Sequence, residues 1–264
     1  MLLHSKLRSW LTIIGIIIGV GAVVGIVSLG DSMKANVQSR LSTLDLAHIT
    51  ITPGYSRAQG FGPGGGFGRT TTTTTTLTNK DVNALRGITD IKYMAGQISG
   101  RANVSYGTQS ASLTVSGVDP QVWNNMNTMT LDSGRFLEPS DNYVALIGSG
   151  VANGIYKKSI GVNQVISVAN KSVRVVGILA SQGEGSDNQI IIPIDAAVNL
   201  ITDAEKDQYD SIQVEALSSD VVNDTATAIT KKLLVARHDN KDSDQDFTVS
   251  ATASMASSIT TMIQ

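Results

Sequence analysis

Four stretches in the last third of the chain set the fold class: QIIIPIDAAVNLI (189–201), YDSIQVEAL (209–217), SDVVNDTATAITKKLLVAR (219–237) and DQDFTVSATAS (244–254). The first opens as an apolar β-branched run and turns helical around Pro193. The second alternates apolar and polar residues, and the third places Val221, Ala228, Ile229 and Leu233 on one side of a helix. The fourth alternates again. Helices interleaved with strands in this way predict a helix-covered sheet.

The middle of the chain reads differently. DIKYMAGQIS (90–99), RANVSYG (101–107) and TQSASLTVSGVD (108–119) alternate and are separated by glycines, which predicts hairpins or a meander. DPQVWNNM (119–126) supplies a helical turn or two. NYVALIGSGVANGIY (142–156) is an apolar strand running into a helix, and NQVISVANKSVRVVGILAS (163–181) is a hairpin turning at Asn170-Lys171. Upstream, HITITPGY (48–55) is a strand closed by Pro53-Gly54, and Thr78 with Asp81 opens a short helix by a capping box. Residues 55–77 hold six glycines and seven consecutive threonines, too little apolar area to offset the entropy of ordering, and read as a mobile loop. The sum is an α+β fold of two subdomains: an α/β part from 46–100 and 186–251, and a β-rich part, 101–185, inserted into it.

WLTIIGIIIGVGAVVGIVSLG (10–30) carries no charge. At ~1.5 Å per residue, roughly 20 helical residues cross a ~30 Å hydrocarbon layer, whereas a secretory signal has a shorter apolar core and a small-residue cleavage site. A transmembrane helix is therefore expected, with Lys6 and Arg8 keeping residues 1–9 in the cytoplasm and the bulk of the chain outside. Gly15 with Gly19, and Gly21 with Gly25, are small-xxx-small pairs that let helices approach closely in lipid, although glycine is also simply common in membrane helices. Met33, Val37, Leu41 and Leu44 continue the helical spacing, so 31–45 reads as a stalk. Met255, Ile259 and Met262 repeat that spacing in 252–264, the start of a second stalk or membrane helix. Two apolar stripes at the same membrane surface are expected to pack together.

Composition excludes more than it assigns. Without Lys6 and Arg8, the exported part keeps 18 of the 20 basic side chains against 22 acidic ones, which argues against a nucleic-acid face. Cysteine is absent, so disulfides and thiol chemistry are too. No Walker A motif occurs. His4, His48 and His238 lack metal-ligand spacing. Asp242, Asp244 and Asp246 begin the rhythm of a calcium loop, but Phe247 stands where glycine is needed, so a solvated acidic turn is expected. Ser-Asp-Asn ending at Asn188 lacks the other elements of a penicillin-interacting site. Glu138 and Asp141 flank a proline and read as a turn. No cofactor or catalytic set emerges.

KLRSWLTIIGIIIGVGAVVGIVSLG (6–30), ITPG (51–54), LTNKDVNAL (77–85), SGVDP (116–120), GRFLEPSD (134–141), VALIGSGVA (144–152), VRVVGIL (173–179), IIIPIDAA (190–197) and ARHDNKDSDQDFTV (236–249) occur in this order over essentially the whole chain. Together they resemble MacB-like, FtsX-type ABC transporter permeases. The resemblance implies a four-helix permease whose large extracytoplasmic domain lies between its first two helices, with a porter-like α/β part and an inserted β-rich part. It further implies a dimer with a second permease subunit, an ABC ATPase as the power source, an adaptor protein in some systems, and transmission of movement for export or efflux. Only nine residues precede Trp10, so the ATPase is expected on a separate chain, unless the sequence is part of a longer one. The competing reading is a single-pass sensor or adhesion domain tethered to the membrane.

Overall fold

The computed structural model describes residues 10, 14–30, 32–33, 46–54, 76–183, 187–202, 204–237, 246–254 and 257. The chain divides into two compact units, one of residues 46–254 and one of 1–45 with 255–264.

In the latter unit, residues 14–30 are helical and almost wholly exposed. No helix among the described residues is long and apolar enough to cross a membrane. The expected span from 10 to 30 is thus described only in part, and the seventeen helical residues rise about 25 Å, short of the ~30 Å needed. Gly15, Gly19, Gly21 and Gly25 face open space, and Met33 is 64 % exposed. Val37, Leu41, Leu44, Met255, Ile259 and Met262 lie outside the described residues, as do 55–75 of the Gly/Thr loop.

The 46–254 unit is an α+β fold built on one ten-stranded sheet. Its elements are β1 (His48–Pro53), β2 (Leu77–Thr78), α1 (Asn79–Leu85), β3 (Ile91–Tyr106), β4 (Gln109–Val118), α2 (Pro120–Met126), β5 (Leu131–Gly134), β6 (Val144–Ile147), α3 (Ser149–Asn153), β7 (Val165–Val168), β8 (Lys171–Leu179), β9 (Gln189–Pro193), α4 (Ile194–Ala197), β10 (Gln208–Tyr209), β11 (Ser211–Ala216), α5 (Val222–Arg237) and β12 (Phe247–Ala251). The order is β12-β1-β11-β3-β4-β9-β6-β8-β5, with β7 paired to both β3 and β8, while β2 and β10 form a separate pair.

One strand organises this sheet. The first half of β3 pairs with β11 in an open sheet, and its second half pairs with β4 and β7. Following the neighbours from β3 through β4, β9, β6, β8 and β7 leads back to β3, so six strands close a ring. Period-2 alternation fills it: Ala145, Ile147, Val173, Val175, Ile190 and Ile192 point into one core, while Leu146, Val176 and Ile191 join a second cluster outside the ring with Val118, Leu137 and Trp123. The open sheet has its own core, in which Ile49, Ile51, Ile212 and Val214 meet Val82 and Leu85 of α1 and Val222, Ile229 and Leu233 of α5.

Three local expectations are corrected. The stretches on either side of Gly100 form one continuous strand, because Gly100 sits where the Ile201 side chain leaves no room for a Cβ rather than in a turn. The β7–β8 hairpin turns at Ala169-Asn170, not Asn170-Lys171: both residues have positive φ (46° and 64°), as the two centre positions of a type I′ turn require. On α5 the buried stripe is Val222, Thr225, Ile229 and Leu233 in place of Val221 and Ala228, since the helix starts after a 3-10 turn at Ser219–Val221. The capping box stands as read, with Asp81 accepting from the Thr78 amide.

Gly134 ends β5 at φ +88°, and a Cβ there would collide with the Val176 carbonyl oxygen. Gly134→Ala is expected to lower stability by about 2 kcal/mol or more, from the left-handed backbone and the backbone clash combined. Denaturant unfolding of the two chains measures this.

Candidate functional site

The chain comes into the 46–254 unit and leaves it through neighbouring strands. β1 follows Leu46 and Ala47, β12 runs into the helical residues 252–254, and the two are antiparallel, with Ile49 opposite Ala251 and Pro53 opposite Phe247. The two connections therefore stand side by side at one end of the unit. α5 lies over this pair, and Ile49, Ile51, Phe247 and Ala251 share a core with its buried stripe.

α5 runs along this strand pair, about 24 Å for sixteen residues, from the Ser254 end of β12 to its Asp246 end. At its start, Ser254 Oγ donates to Asn223 Oδ1 at 2.8 Å. At its finish, Arg237 makes a clasp. Its Nε and Nη2 donate to Asp81 Oδ1 and Oδ2 at 2.9 and 2.8 Å, Nη1 donates to Asp246 Oδ1 at 2.8 Å, and Nη2 also reaches the Thr76 carbonyl at 3.1 Å. The guanidinium carbon lies 5.8 Å from the centre of the Phe247 ring. The Arg237 and Asp81 side chains are only 11 % and 7 % exposed, so the pair is buried as well as bidentate.

The clasp joins α1, α5 and the residue before β12. Gly54 is tied to the same place, since its amide donates to the Asp246 carbonyl at 2.6 Å and its carbonyl accepts from Thr248 Oγ1 at 2.8 Å. Burial pushes the Asp81 carboxyl up, but the hydrogen bonds and charge of Arg237 together with the Thr78 bonds reverse this and hold it below its ordinary 3.8. Asp246, expected as a solvated acid, is instead a partner of Arg237. By sequence alone, Asp81 is only a helix cap and Arg237 only the end of a helix. A cation in the last helical turn facing an acidic run was the available signal.

The remaining candidates among the described residues make structural contacts, while His4, His238, Asp242 and Asp244 lie outside them. Arg135 grips Asp141 through two bonds of 2.7 and 2.9 Å, Asp141 also accepts the Glu138 amide, and Glu138–Asp141 is the turn expected of it. His48 Nε2 bonds to Gln213 Oε1 at 2.7 Å. Asp187 accepts from Ser181 and the Gln182 amide. No group of three metal-ligating residues exists among the described residues. The geometry is that of a strut fixed at both ends.

Residues 9–232 match the model of the MacB-like periplasmic core domain. A macrolide export ATP-binding/permease protein, MacB, of Chlorobium phaeobacteroides is 26 % identical over 94 % of this chain and 38 % of its own length. An uncharacterised ABC transporter permease of Methanocaldococcus jannaschii is 26 % identical over 98 % and 61 %, and the pyoverdine export ATP-binding/permease protein PvdT of Pseudomonas entomophila is 29 % identical over 90 % and 35 %. The chain thus spans between about a third and three-fifths of these relatives. The periplasmic region of MacB from Actinobacillus actinomycetemcomitans superposes with a TM-score of 0.65 at 18 % identity, over 85 % of this chain and 98 % of that one. The extracellular domain of the ABC-type transporter YknZ from Gram-positive bacteria gives 0.56 at 17 % identity, over 77 % and 99 %. Both share the fold.

Arg237→Ala strands a buried Asp81 carboxylate and is expected to cost about 3–5 kcal/mol, measured by denaturant unfolding. Because the folded pKa of Asp81 is depressed, its contribution is present above its unfolded value and is lost as pH falls through the folded one. Asp81→Asn should be less stable at neutral pH and show a shallower loss of stability on acidification below pH ~4. An unchanged acid limb would remove Asp81 from the account.

Proposed function

The chain belongs to the family of MacB-like periplasmic core domains, and from that premise we propose that it carries ATPase-driven movement from a permease in the cell membrane to its extracytoplasmic side, in the service of export or efflux. One observation supports the mechanical part: β1 and β12, the strands next to the two connections, are paired to each other and spanned by a single helix fixed at both ends. A displacement applied to both connections at once loads one ladder and one strut, so the α1–α5–β12 end moves with it.

In this reading, residues 10–30 form a transmembrane helix with residues 1–9 in the cytoplasm. The stripe Met33, Val37, Leu41 and Leu44 packs against Met255, Ile259 and Met262. Gly15, Gly19, Gly21 and Gly25 face a neighbouring membrane helix, a role that the open space over each leaves available. We assign 46–100 and 186–251 to a porter-like part and 101–185 to the inserted β-rich part; the separate cores of the open sheet and the ring support a division in two, with β9 and α4 of the 186–251 segment packed into the ring core. The partners are an ABC ATPase on another chain, a second permease subunit and, in some assemblies, an adaptor protein. Two relatives are named for export of a macrolide and of pyoverdine, and we read this chain as serving export in the same broad sense.

The test is to insert a four-residue Gly-Ser segment after Asp45 and another before Met255 in the assembled transporter. Flexible segments absorb displacement, so cargo export should fall roughly tenfold or more while membrane levels and ATP hydrolysis persist. Export that continues undiminished would overturn the mechanical reading, and a chain that assembles with no ATPase or second permease subunit would favour a tethered sensor or adhesion domain.

A further inference from the structure

The outer wall of the strand ring has an unusual row of side chains. Arg174 of β8 is paired through its backbone with Val144 of β6 on one side and Val165 of β7 on the other. Its neighbours Val173 and Val175 point into the ring core, so Arg174 points outward, and it is exposed. Val165 is 52 % exposed and Tyr143 is 38 % exposed. With Val162, Val176, Asn163, Ser172 and the 134–141 turn, these residues line an open cleft of about 610 Å³. That volume suits a small molecule, for which sites of ~300–1,000 Å³ are usual.

The charges in the cleft do not balance. Asp141 is fully engaged by Arg135 and the Glu138 amide. Arg174, by contrast, has no carboxylate partner among the described residues. Lys171 adds a second cation at the margin, its Nζ 5.7 Å from the centre of the Tyr143 ring. Ser172 precedes Arg174 on the same face of β8, as on a solvated surface, but valines stand opposite the arginine on both neighbouring strands. An apolar seat around one uncompensated, planar guanidinium is complementary to a compact apolar body bearing a carboxylate, which the guanidinium grips by two parallel bonds.

We propose that this cleft binds small amphipathic carboxylates, with Arg174 holding the anion and Val144, Val165 and Tyr143 contacting the apolar body. The site is independent of the mechanical role of α5 and lies on a different part of the unit. Isothermal titration on the full chain in zwitterionic lipid nanodiscs tests it, with N-acetyltryptophan, its uncharged amide and acetate as probes. The carboxylate should bind with a dissociation constant on the order of 0.1–1 mM and at least about tenfold more tightly than the amide or acetate. Arg174→Gln should abolish that preference while leaving the weak amide binding and the thermal midpoint unchanged. Val165→Ser should weaken the carboxylate and the amide alike. Should Arg174→Gln fold poorly, Arg174→Lys, which keeps the charge but loses the fork, should retain only part of the preference. Equal affinity for carboxylate and amide, no heat up to about 10 mM, or a preference that survives Arg174→Gln would overturn the assignment.

Discussion

The antiparallel pairing of β1 with β12 is the constraint on which the rest of the 46–254 unit depends. These strands are about 200 residues apart in sequence, yet they lie side by side from Ile49 opposite Ala251 to Pro53 opposite Phe247. Closing so long a loop costs entropy that no local interaction recovers, so the pairing must be held by what it buries. Ile49, Ile51 and Phe247, all fully buried, meet Val222, Ile229 and Leu233 in a core that exists only once α5 is laid across both strands. Removing apolar side chains of that size from water is worth about 1.5–3 kcal/mol each, which makes this core the main force keeping the two connections together.

Hydrophobic contact is non-directional, and a helix on a sheet can slide. The ends of α5 remove that freedom. Ser254 bonds to Asn223 at one end, and the Arg237 guanidinium fixes the other through four hydrogen bonds to Asp81, Asp246 and Thr76. Burying charge is expensive, and such a pair adds little to net stability over an apolar replacement. What it contributes is register: a planar fork matched to a carboxylate has one good geometry, so the helix has one position on the strands.

The long strand β3 joins two sheet arrangements. Its first half belongs to the open, helix-covered sheet, and its second half belongs to the ring, in which every strand is paired on both sides over at least part of its length. The open half lies next to the chain connections, and the ring half carries the cleft around Arg174.

The sequence by itself determined the elements with a strong local period. The alternation of strand and helix from 189 to 254, the capping box at Thr78 and Asp81, and the hairpin ending in the Val173–Leu179 run all follow from side-chain spacing and cap chemistry, which act over a few residues. The MacB-like resemblance rested likewise on short motifs in order. Spacing says which face of an element is apolar and is silent about which distant element will cover it. Tertiary structure alone decided that Gly100 continues a strand, because Ile201 fills the space beside it, and that the hairpin turns one residue early, because both Ala169 and Asn170 take positive φ. It alone closed the ring through β7, and it alone brought Arg237 onto Asp81 across 156 residues and set Arg174 between two valines. Each of these is a meeting of chemically ordinary residues, and only the folded path of the chain fixes which of them meet.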